Sequence, residues 1–118
     1  MVKSKRTFGS IIFLLALSIN ASAYELSTVQ TKELTAFSGR AMGIQVTAAD
    51  IKNAPSRKDL EELIATGINL NKLLCAKVTE IHPLKVKGTY EVSCVAYRNG
   101  SAKKSYVLDT NRGTAFEP

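Results

Sequence analysis

Cys75 and Cys94 are the only cysteines in the chain, and a covalent tie between positions 19 apart would fix which parts of any fold must be neighbours. Whether such a tie forms depends on the compartment. The N-terminus speaks to that question. Lys3, Lys5 and Arg6 precede the apolar run Ile11, Ile12, Phe13, Leu14, Leu15, Ala16, Leu17, and small residues follow at Ala21 and Ala23. That order is the signature of a cleavable secretory leader, with residues 1–23 removed and the mature chain starting at Tyr24. The apolar stretch is about half the roughly 20 residues that span a bilayer. No cysteine follows it to take a lipid, so no stable membrane anchor is expected after cleavage.

In an oxidising compartment one Cys75–Cys94 bridge is therefore expected. Closing a loop of this length stabilises a small domain by about 3 kcal/mol in the chain-entropy model. Redox-active pairs sit two residues apart at a helix N-terminus, where a thiolate is stabilised. The wider spacing here points to a structural staple.

Of 118 residues, the 95 beyond the leader are the length of one domain, 24–118. The formal charge of +6 halves to +3 once Lys3, Lys5 and Arg6 are set aside, leaving 13 basic and 10 acidic residues. A balance so modest gives no reason to expect a nucleic-acid partner.

Ser27, Thr28, Val29, Gln30 fits a capping box and predicts a helix. Leu34, Phe37 and Ala41 supply its apolar stripe, and Gly43 its stop. A connector follows, with one helical turn expected after Thr47. Ser56, Arg57, Lys58, Asp59 opens a second helix directly after Pro55, with Leu60, Leu63 and Ile64 facing a core. Gly67, Asn69 and Asn71 weaken helix propensity while Ile68, Leu70, Leu73 and Leu74 prolong the stripe, so the end is bracketed between Thr66 and Leu74. All these leucines are expected in the core.

From Cys75 onward the pattern is β. Ala76 to Pro83, Tyr90 to Tyr97 and Ser105 to Leu108 read as strands, with Ala115 and Phe116 after a further bend. Pro83 with Gly88, Asn99 with Gly100, and Asn111, Arg112, Gly113 supply the turns. A register with residue 81 opposite residue 88 would place Cys75 opposite Cys94 in a hairpin. The fold class expected is α+β: two N-terminal helices, then a three- or four-stranded antiparallel meander with one disulfide.

Chemistry is sparse. His82, the single histidine, sits before Pro83 as turn residues do, and no triad or histidine-rich metal site can be assembled around it. Glu61, Glu62, Glu80 and Glu91 show no spacing that marks an acid–base pair. Asp109 to Gly113 begins like a calcium loop but is interrupted by Arg112, and it fits an ordinary turn. Lys85, Lys87, Lys103 and Lys104 with Tyr90, Tyr97 and Tyr106 form the one combination suited to an anionic partner surface. The competing reading is that the lysines protect a sheet edge.

Tyr90, Glu91, Val92 and then Tyr106, Val107, Leu108, Asp109 with Gly113 resemble the closing β segment of PepSY-type exported domains. The likeness covers Gly88 to Glu117, is a generic hairpin pattern, and implies nothing about activity. Taken together, the residues predict a small exported protein, periplasmic or secreted if bacterial. The function expected is noncatalytic binding of another cell-envelope or extracellular protein, as an inhibitor, immunity or accessory factor, without a cofactor. The alternative is a small secreted enzyme or toxin using loop carboxylates. Oligomeric state is not legible from these residues.

Overall fold

A computed structural model describes residues 25–118. The expected leader, with its cleavage residues Ala21 and Ala23, lies outside the described residues. Helix α1 spans Thr28–Ala41, a 3-10 turn covers Ala48–Asp50, and helix α2 spans Arg57–Leu70. Strands β1 (Lys77–Pro83), β2 (Thr89–Val95), β3 (Lys103–Asp109) and β4 (Thr114–Phe116) form one antiparallel sheet in the order of the chain.

Local chemistry explains the helix bounds. Ser27 Oγ accepts from the Gln30 N–H at 3.0 Å while Gln30 Oε1 accepts from the Ser27 N–H at 2.9 Å, which completes the capping box. At the other end Gly43 takes a left-handed φ of 85°, and the Ile44 and Gly43 N–H groups donate back to the Gly39 and Arg40 carbonyls, a Schellman closure. Ser56 Oγ caps α2 by accepting from the Asp59 N–H. That helix ends with the same closure, but the left-handed residue is Lys72 at φ 67°, with Leu73 N–H donating to the Ile68 carbonyl. A lysine in the place usually held by glycine is why composition could only bracket this end.

The helices cover one face of the sheet. Leu34 and Phe37 from α1, Leu60, Ile64 and Ile68 from α2, and Val78, Ile81, Tyr90, Val92, Cys94, Tyr106 and Leu108 from the strands make a single core. Gly67 lets the helices approach: a Cβ there would stand 2.5 Å from the Phe37 ring. Ser38, buried at the same crossing, donates to the Leu63 carbonyl. Two of the leucines expected inside are exposed: Leu70, the last residue of α2, stands about 200° around the helix from buried Ile68, and Leu74 lies in the connector beyond the helix.

The register differs from the expected one. Ile81 pairs with Val92 and Val78 with Cys94, and a bulge falls between Val78 and Glu80. Pro83 remains in the strand opposite Tyr90, so the turn comes later, closed by Leu84 N–H to Thr89 O and by Gly88 at φ 84°. Cys75 thus precedes the ladder and is not a cross-strand partner. The disulfide forms nonetheless, with Cα atoms 5.3 Å apart, and joins the α2–β1 connector to β2. Asn69 positions that connector: its amide nitrogen donates to the Cys75 carbonyl and its oxygen accepts from the Cys75 N–H, both at 2.9 Å. The Asn99–Gly100 turn is where expected but wider than a two-residue hairpin, with Ala96 N–H bonded to Ala102 O.

The two turns at the opposite end are stitched together. Thr110, buried, donates from both its N–H and its hydroxyl to the Gly88 carbonyl, and Arg40 Nη1 donates to the Thr110 carbonyl at 2.8 Å. Gly113 completes the seam at φ 71°, where a Cβ would lie 2.9 Å from the Ala41 backbone nitrogen.

Candidate functional site

A cleft of about 740 Å³ lies between the first turns of α2 and the end of the β1–β2 ladder. Ala65, Val78 and Val95 line its apolar part. Lys58, Glu61 and Glu62 stand on the helical side, Lys77 on β1, and Tyr97, Arg98, Asn99 and Gly100 on the β2–β3 turn. Tyr97 is 58% exposed. The turn is held in shape by a Gly100 N–H bond to the Tyr97 carbonyl and by the left-handed Asn99 at φ 64°. The disulfide ties the two walls together next to the lining, since Cys75 precedes Ala76 on one wall and Cys94 precedes Val95 on the other. A closed disulfide is the state that an oxidising compartment maintains.

The surface read from the lysines and tyrosines comes apart in three dimensions. Tyr90 and Tyr106 are 2% and 1% exposed and point into the core, which corrects their assignment to a partner surface. Strand alternation decides this, because both occupy the same face as Val92 and Leu108. Each ring keeps a partner for its hydroxyl: Tyr90 donates to Glu33 Oε1 at 2.5 Å and Tyr106 to the Leu74 carbonyl at 2.7 Å. Burial, and then the bond to Glu33, raise the Tyr90 pKa above its ordinary value. Lys85 and Lys87 are exposed on the β1–β2 turn, whereas Tyr97 and Lys103 lie at the other end of β2. The residues gathered around Tyr97 are instead Arg98, Lys77 and Lys58. Arg98 could have been found from sequence as the neighbour of an exposed tyrosine before an Asn–Gly turn.

The remaining candidates stay apart. His82 Nε2 lies 2.9 Å from Glu80 Oε1 on the open outer face of the sheet. Asp109 caps its own turn, with Oδ1 accepting from the Asn111 N–H and Oδ2 3.8 Å from Arg112 Nε. Asp50 accepts from the Thr47 N–H and hydroxyl, and these bonds lower its pKa. Among the described residues no three His, Cys, Asp or Glu side chains are arranged to hold a metal ion, and no helix is long and apolar enough to cross a membrane. Compared with family models, curated proteins and solved structures, the chain matches none.

Proposed function

We propose that this chain is an exported, noncatalytic module that binds another protein through the cleft beside Tyr97. The observation that carries the reading is the Tyr97–Arg98 pair. Tyrosine and arginine are the side chains that most often dominate binding energy at protein interfaces. Here both sit at the rim of an apolar depression on a turn braced by hydrogen bonds and a nearby disulfide. A braced turn loses little freedom on docking, which is how preorganisation raises affinity. The partner is a cell-envelope or extracellular protein.

A second reading, a small enzyme working through carboxylates, has one observation in its favour: Glu61 and Glu62 both border the cleft. Adjacent positions on a helix point about 100° apart and do not converge on one reacting atom. Two tests separate the readings. Purified wild-type protein, immobilised on a resin, should retain a discrete protein from a cell-envelope extract. Tyr97→Ala with Arg98→Ala should weaken that capture at least tenfold at unchanged melting temperature. Hydrolytic turnover in peptidase, nuclease or cell-wall assays that Glu62→Gln abolishes would overturn the binding reading.

A further inference from the structure

The opposite end of the sheet carries a different chemistry. Lys85 and Lys87 flank Val86, which is 70% exposed at the tip of the β1–β2 turn, and Leu84 beside it is also exposed. The turn that carries Val86 is held by hydrogen bonds. Thr89 Oγ1 donates to the Val86 carbonyl at 2.6 Å, Leu84 N–H bonds Thr89 O, and Thr110 holds the Gly88 carbonyl from two directions. That stitching sets the β3–β4 turn alongside, bringing in Arg112, whose side chain is 81% exposed. Next to it a shallow hollow of about 470 Å³ is bordered by Arg40, Asn111, Arg112 and Ile44, the last 55% exposed. In the adjoining turn the Asp109 carboxylate is engaged by Arg112 and by the Asn111 N–H.

We propose that this end of the molecule, formed by Lys85, Val86, Lys87 and Arg112, docks onto a lipid surface carrying anionic headgroups. The side chains decide the occupant. Projecting aliphatics flanked by cations can enter the headgroup region while the lysines extend their amines to phosphate. The aromatic anchors typical of a protein interface are missing from this tip and lie at the far end of β2, at Tyr97. Docking by the turns would leave the Tyr97 cleft facing away from the lipid, although the inference does not depend on that cleft binding anything.

Sedimentation with vesicles tests it, using phosphatidylcholine alone and phosphatidylcholine mixed with phosphatidylglycerol, at low and high salt. Every variant carries the same N-terminus, so differences between variants report the turns. Wild-type protein should partition to the anionic vesicles only, and less so as salt rises. Each lysine near an anionic surface is worth roughly fivefold in partition, so Lys85→Gln with Lys87→Gln should lose roughly twenty-five-fold. Val86→Asp should also lose binding. Lys103→Gln with Lys104→Gln removes the same charge elsewhere and, once pelleting in a vesicle-free sample is subtracted, should keep binding near the wild-type level. All variants should melt as wild type, because the altered side chains are exposed. Equal partition to both vesicle types, no partition to either, or equal losses from the two lysine pairs would overturn the proposal. So would retention of a soluble acidic protein, in place of vesicles, that depends on Lys85 and Lys87.

Discussion

Tyr90 is the residue at which burial and hydrogen bonding are most tightly joined. Its ring fills the core beneath α1, and its hydroxyl reaches out of that core to Glu33. The native state therefore holds the phenolic proton more firmly than the unfolded chain, whose tyrosines ionise near pH 10. Stability from this site is complete below about pH 10 and is lost as the pH rises past it, because the unfolded state then releases a proton that the native state retains. Urea midpoints measured across that range should fall for the wild type and fall less steeply for Tyr90→Phe. Below pH 10 the same substitution should cost about 1 kcal/mol, the value of one such hydrogen bond.

Gly67 works at the same scale with the opposite logic, through the side chain it lacks. Alanine would improve helix propensity by about 1 kcal/mol at an exposed site. Here its Cβ would press on a Phe37 ring that is fully buried and has nowhere to move. Overpacking of this kind costs about 1–3 kcal/mol, so Gly67→Ala should destabilise despite the better helix former. A thermal melt gives the sign. Adding Phe37→Leu should make the pair less harmful than the sum of the single changes.

Among the elements, the α2–β1 connector decides how the helical layer is tied to the sheet. It is held covalently to β2 by Cys75–Cys94, by Asn69 at the Cys75 backbone, and by the Tyr106 hydroxyl at the Leu74 carbonyl. Since the native contacts around the bridge are numerous, its removal should act mainly on the unfolded chain. Cys75→Ser with Cys94→Ser should retain the far-UV spectrum below the transition and lower stability by about 3 kcal/mol, or roughly 12–24 °C in melting temperature for a domain of this size. Two freely reactive thiols in the native protein would contradict the bridge itself. A redox-active pair would instead show a thiol of lowered pKa.

At the scale of the whole molecule, the four-stranded sheet has helices on one face and is open on the other, and its two edges are managed differently. Strand β1 is an edge interrupted by a bulge and ended by Pro83, both of which discourage pairing with another chain. Strand β4 covers only Val107–Asp109 of β3 and leaves the flank of Lys103–Tyr106 without a strand partner. Lys103 and Lys104 occupy that flank, with Lys104 3.6 Å from Glu117. Two charges at an open edge repel a second copy laid against it. Replacing both by Ser should increase light scattering on storage at a fixed concentration while leaving the unfolding free energy within about 0.5 kcal/mol of wild type. Unchanged scattering would remove the edge-guarding role.

What the sequence determined by itself was local. Ser27 with Gln30, the Ser56 hydroxyl at the Asp59 N–H, Gly43 and Asn99 specify caps and turns through bonds that span a few residues, and these formed where their patterns placed them. The helix–helix–sheet order and the Cys75–Cys94 bridge were legible for the same reason, since alternation and two lone cysteines leave few arrangements. The tertiary structure alone decided whatever rests on contacts between distant segments. Strand register followed from the Thr79 bulge and the late turn, which moved Cys75 out of the ladder and set Val78 opposite Cys94. Alternation puts Tyr90 with Val92 and Tyr106 with Leu108, but which of the two sheet faces is covered was decided only when the helices packed on one of them. The cleft gathers α2, β1 and the β2–β3 turn, about 40 residues apart in the chain. No local pattern encodes such a meeting, since it arises only when the helices are packed on the sheet.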